Sequence, residues 1–122
     1  MKKFILALLL SSVGRLFSQT PNWSEHIAPI LYNNCTNCHI DGGIAPFSLV
    51  GYDKAVTYSG GVKSATAARR MPPWPADLLY QRYAHERVLS NEEISAIAAW
   101  VDGGMPKGDT TKAPSKPTLK TG

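Results

Sequence analysis

The chain has 122 residues, 43% of them hydrophobic, with thirteen Lys and Arg against nine Asp and Glu for a formal charge of +4. That allows one small domain and excludes a multidomain enzyme, a collagen-like or disordered chain and a bundle of membrane helices. Only two cysteines are present, too few for a disulfide-dense scaffold, and both fall in one five-residue group, Cys35-Thr36-Asn37-Cys38-His39.

Residues 1–18 read as an export signal: Lys2 and Lys3, an apolar stretch from Phe4 to Leu10, and Ser18 as the small residue at a cleavage point. The apolar run falls far short of the ~20 residues that cross a bilayer, so no membrane span is expected after its removal, with an uncleaved anchor as the alternative. The expected location is the periplasm. Lys2, Lys3 and Arg15 carry three of the four net positive charges, while residues 19–105 hold six basic and eight acidic side chains. The basic balance therefore belongs to the signal and the tail. No cluster of Arg with aromatics points to nucleic acid as a partner.

The first predicted helix precedes the cysteines, with Ile27, Ile30 and Leu31 on one face and Pro29 in its first turn, where a missing N–H costs least. Then comes the cysteine group. Two thiols three residues apart on one helical turn can each add to a vinyl group of a single porphyrin, and a histidine directly after the second is placed under the iron. Cys35 and Cys38 would be thioether anchors, and His39 a metal ligand through Nε2 with its Nδ1–H held by a backbone acceptor. Two other chemistries use this spacing. A redox dithiol belongs to a strand-then-helix context, and no βαβ pattern is visible; half of a zinc site needs a second Cys or His pair, and none is suitably spaced.

Farther on, Tyr52 to Arg70 is rich in Ala, Lys and Arg and predicts helix on both sides of Gly60-Gly61, with an interruption there. Met71 follows, 32 residues after His39, in Arg70-Met71-Pro72-Pro73-Trp74. Two prolines end any helix and stiffen the loop, as holding a sulfur against a metal from a non-helical segment requires, so Met71 is the candidate second metal ligand; Met105, His85 and no strong ligand are the alternatives. The last helix is the clearest, with Ser90 and Glu93 as a capping box, Ile94, Ile97, Ala98 and Val101 at helical spacing, and Gly103-Gly104 as its stop. No alternating strand pattern appears, so the fold class is all-α. The domain spans 19–105, and residues 106–122, rich in Lys, Thr, Pro and Ser, are expected to be a disordered polar and basic tail. A core this small needs help from one disulfide or one bound cofactor.

Taken in order, Ile27 to Leu31, Cys35 to His39, Gly42-Gly43-Ile44-Ala45-Pro46-Phe47-Ser48-Leu49, Arg70 to Trp74, Leu89-Ser90 and Trp100-Val101-Asp102-Gly103-Gly104 resemble the small single-haem cytochromes c of the His/Met type that carry a Met-Pro-Pro-Trp loop. Similar domains occur alone and attached to larger exported proteins. The resemblance implies a cytochrome c-like fold of a few short helices wrapped around one covalently attached haem c per chain. It implies that Pro46 supplies the carbonyl for the His39 Nδ1 proton and that Gly42-Gly43 let the backbone pass close to the porphyrin edge. Arg70 and Trp74 would hydrogen-bond the propionates; a solvated Arg and a core Trp are the plainer readings. The implied function is one-electron carriage between redox partner proteins, not catalysis. The alternatives are a haem enzyme or a gas- or peroxide-reactive sensor with a labile Met71, and a thiol–disulfide oxidoreductase.

Overall fold

The computed structural model describes residues 19–73, 77 and 79–120, and among them every regular element is a helix. Residues 1–18, expected from the sequence to be an export signal, and Trp74 lie outside the described residues. Among the described residues no helix is long and apolar enough to cross a membrane.

The first helix begins four residues earlier than Ile27. Asn22 caps it, its side-chain oxygen accepting from the Glu25 N–H at 2.9 Å, and a π-helical turn at Trp23–Ile27 runs directly into α1 (Ala28–Asn34). In that turn the Ile27 N–H reaches back five residues to the Asn22 carbonyl at 3.2 Å. Pro29, in the first turn of α1, has no N–H to offer and its ring crowds the carbonyl four residues back, so a wider turn ahead of it keeps the chain helical.

The Tyr52 to Arg70 stretch forms α2 (Tyr52–Thr57) and α3 (Ser59–Ala67). The break falls at Tyr58, not at Gly60-Gly61 as expected. Tyr58 leaves helical geometry (φ −102°, ψ 9°), and its ring stacks on Phe47. Both glycines sit in the exposed first turn of α3, where neither takes a positive φ. The last helix, α4 (Asn91–Asp102), follows the sequence closely: Ser90 Oγ accepts from the Glu93 N–H at 3.1 Å, and Glu93 Oε2 accepts from the Ser90 N–H at 2.8 Å. Gly103 closes it by donating to Ala99 O, and Gly104 follows at φ +86°.

These elements bury Trp23, Ile27, Ala28 and Leu31 against Ala55, Leu89, Ile97 and Trp100. Trp23 is the hub, meeting Tyr32 and Tyr52 edge-on at 5.9 and 6.2 Å and Trp100 at 6.1 Å between centroids. The α3 helix packs on α4, and the Lys63–Asp102 ion pair ties their surfaces.

The tail differs from its composition. Residues 106–120 run back over the body: Trp23 N–H and Trp100 Nε1–H both donate to Pro106 O, at 2.8 and 3.1 Å, and Ser24 donates to Lys107 O through its N–H and its hydroxyl. A short 3₁₀ turn at Thr110–Lys112 brings Lys112 3.4 Å from Glu25. The physical reason is that Trp23, Ser24 and Trp100 bury donors that need partners, and the Pro106 and Lys107 carbonyls supply them. Polarity of side chains carries no information about such backbone pairing.

Candidate functional site

The Cys-x-x-Cys-His segment continues the winding of α1. Cys35 N–H donates to Leu31 O at 2.8 Å, and Cys38 and His39 N–H groups both return to Cys35 O, at 3.1 and 2.9 Å. Thr36 is buried and anchors the turn by donating from its hydroxyl to Tyr32 O at 2.8 Å. Facing inward, Cys35 packs against the core; Cys38 is exposed. Neither is bridged. Burial pushes the Cys35 thiol up to about 12, with Glu93 adding to the rise and Arg87 opposing it.

His39 is half-buried, and its Nδ1 lies 3.1 Å from the Phe47 carbonyl oxygen. The resemblance placed this acceptor one residue earlier, at Pro46; the structure places it at Phe47. The loop is set by Ala45 N–H donating to Cys38 O and Leu49 N–H donating to His39 O, and between these two ties the Phe47 carbonyl faces the imidazole. Pro46 itself is exposed. Gly42 takes φ +78°, and Gly43 is packed so closely against the turn that a Cβ there would lie 2.6 Å from Cys38 O. Gly43 is thus required by the protein's own backbone.

Met71 is 40% exposed and lines an open pocket with Arg69, Pro72, Arg87, Leu89 and Ile94. Arg70 is exposed on the same loop, whereas its neighbour Arg69 donates to Leu89 O at 3.2 Å and to Asn91 Oδ1 at 2.5 Å, pinning the loop to the start of α4. Of the other histidines, His26 accepts from the Asn22 N–H, and His85 is exposed at φ +60°.

Arg87 carries no motif, yet it joins the two halves of the site. It donates to Asn33 O at 3.1 Å and lines the Met71 pocket. An Arg among the other charged and aromatic residues of this loop, Arg82, His85 and Glu86 beside it, gives no sequence signal for such a role. Tyr58, stacked on Phe47 at 4.1 Å between centroids beside the His39 ring, is equally unmarked in the sequence.

Among the described residues no group of three or more His, Cys, Asp or Glu side chains converges as a metal-ion site would require. No family model, curated protein or solved structure matches the chain. What is established is a small all-α domain with a Cys35, Cys38, His39 spacing that resembles a haem c attachment motif.

Proposed function

We propose that the chain is an exported single-haem c-type cytochrome that carries one electron between redox partner proteins. The observation that carries this reading is the pairing of two unbridged thiols on one turn with a histidine whose Nδ1 faces a backbone carbonyl. That contact selects the tautomer with Nδ1–H donating to Phe47 O, which leaves the Nε2 lone pair free as a metal ligand. The donor set fits a tetrapyrrole: Cys35 and Cys38 remain thiols able to add across its vinyl groups, sulfur to one carbon and proton to the other.

When bound, the group supplies a one-electron iron couple. The chain's residues do the rest. His39 would ligate through Nε2, and Met71 would supply a thioether from a loop that Arg69 ties to α4. With His39 and Met71 both serving as ligands, a substrate would find no vacant metal position, which favours carriage over catalysis. The raised Cys35 value weighs against thiol–disulfide chemistry, because reactive thiols in such motifs are held below the ordinary range.

The test is the whole-molecule mass, under acid and denaturant, of protein isolated from an exporting host. The expected result is one tetrapyrrole added to the processed chain, with colour that stays on the polypeptide through acid extraction and is lost in Cys35→Ala/Cys38→Ala. A bare-chain mass with two alkylatable thiols refutes the reading.

A further inference from the structure

The imidazole of His39 is held by a residue whose ring is itself stacked on another aromatic. Phe47 touches His39 twice: its carbonyl lies 3.1 Å from Nδ1, and its ring meets the imidazole at 4.5 Å between centroids, inclined 45°. The Phe47 ring also stacks on Tyr58, at 4.1 Å between centroids and 23°. Tyr58 in turn is fixed at the joint between α2 and α3, its N–H donating to Lys54 O at 3.2 Å and its carbonyl accepting from Val62 N–H at 2.9 Å.

A histidine ring torsion is broad and roughly twofold. One hydrogen bond on Nδ1 fixes a point on the ring edge but leaves the plane free to rock about the Nδ1···O axis. A contact on the face removes that freedom only if the contacting ring cannot retreat. Backbone ties at Ala45 and Leu49 fix where the Phe47 carbonyl points, and the stack on Tyr58 is what holds the Phe47 ring. This also accounts for the helix break at Tyr58, which turns the side chain toward Phe47 where an unbroken helix would carry it onward.

We infer that Tyr58, acting through Phe47, is a positioning residue that sets the plane of the His39 imidazole. The inference rests on His39 serving as an axial ligand, and it deepens that reading by naming what orients the ligand. An aromatic pair of this geometry biases an equilibrium by about two- to tenfold.

The experiment uses the full chain loaded with its tetrapyrrole and reads the proton NMR spectrum of the ferric form, in which the order and spread of the shifted macrocycle methyl resonances report the imidazole plane. Tyr58→Phe keeps the flat ring and should reproduce the wild-type pattern. Tyr58→Ala and Tyr58→Leu should each reorder the methyls or add a second set, with the minor orientation growing about two- to tenfold. Tyr58→Leu fills the space without a flat face and so separates positioning from a general loss of packing. An unchanged pattern in Tyr58→Ala or Tyr58→Leu overturns the inference, as does a Tyr58→Phe spectrum that matches Tyr58→Ala. A bare-chain mass with no shifted resonances defeats the axial-ligand reading itself, an outcome distinct from shifted resonances that fail to move.

Discussion

Gly43→Ala tests whether the loop after His39 is fixed by close contact with the cysteine turn. A Cβ at this position would lie 2.6 Å from Cys38 O, 2.8 Å from Ile40 Cγ2 and 2.9 Å from Ile40 O. Two of those atoms are backbone oxygens already engaged: Cys38 O accepts from Ala45 N–H at 3.1 Å, and Ile40 O accepts from the Gly43 N–H at 2.8 Å. Relief therefore requires moving the carbonyl of the second cysteine. Overpacking of this kind costs about 1–3 kcal/mol. In a domain of this size 1 kcal/mol is worth about 4–8 °C, so the midpoint should fall by roughly 5–20 °C. Gly60→Ala is the internal control. A Cβ there meets no heavy atom within 4 Å and the residue sits in a helix, so the substitution should stabilise by about 0.5–1 kcal/mol. Thermal and urea unfolding of both variants, under conditions where refolding is complete, measures the difference. Gly43→Ala within about 0.5 kcal/mol of wild type, or a loss in Gly60→Ala equal to that in Gly43→Ala, refutes the contact argument; the threshold is the usual size of a neutral surface change.

Met71→Ala should abolish the weak red-edge absorbance that marks thioether ligation of ferric iron, and should let the ferrous protein bind carbon monoxide rapidly; an unchanged spectrum refutes Met71 as ligand. Ending the chain at Met105 removes the Pro106 and Lys107 acceptors of Trp23, Ser24 and Trp100, all buried, each orphaned donor costing about 1–3 kcal/mol. Thermal unfolding should show a severe loss there, and a much smaller one for a chain ending at Lys112. Glu25 and Asp109, both at the tail contact, have carboxyls held below the ordinary range, Glu25 by the Asn22 amide and then Lys112, Asp109 by the Thr111 hydroxyl and N–H. Their folded values lie below the unfolded ones, so the stability they add is complete above the unfolded values and disappears as pH falls through the folded ones. Acid titration of the unfolding midpoint should fall across that window, and Glu25→Gln should flatten the fall.

Local chemistry was sufficient for several features because each depends on residues close in the chain. The capping box of Ser90 and Glu93, the glycine stop of α4, the helical class and the single turn holding Cys35, Cys38 and His39 all involve partners within about one helical turn. Other features depend on residues that meet only after folding. Phe47 replaces Pro46 as the acceptor because a loop's carbonyl direction is set by ties to Cys38 and His39, not by which residue is proline. The helix break moved to Tyr58 because stacking on Phe47 outweighed glycine's weak helix propensity. Arg87 reaches across 54 residues to Asn33, a pairing no spacing rule encodes. The tail is bound through backbone carbonyls, which every sequence possesses equally. Side-chain identity determined the elements and the turn that carries Cys35, Cys38 and His39. Long-range closure alone decided which atoms orient them, since direction in space is a property of the packed chain and not of any segment.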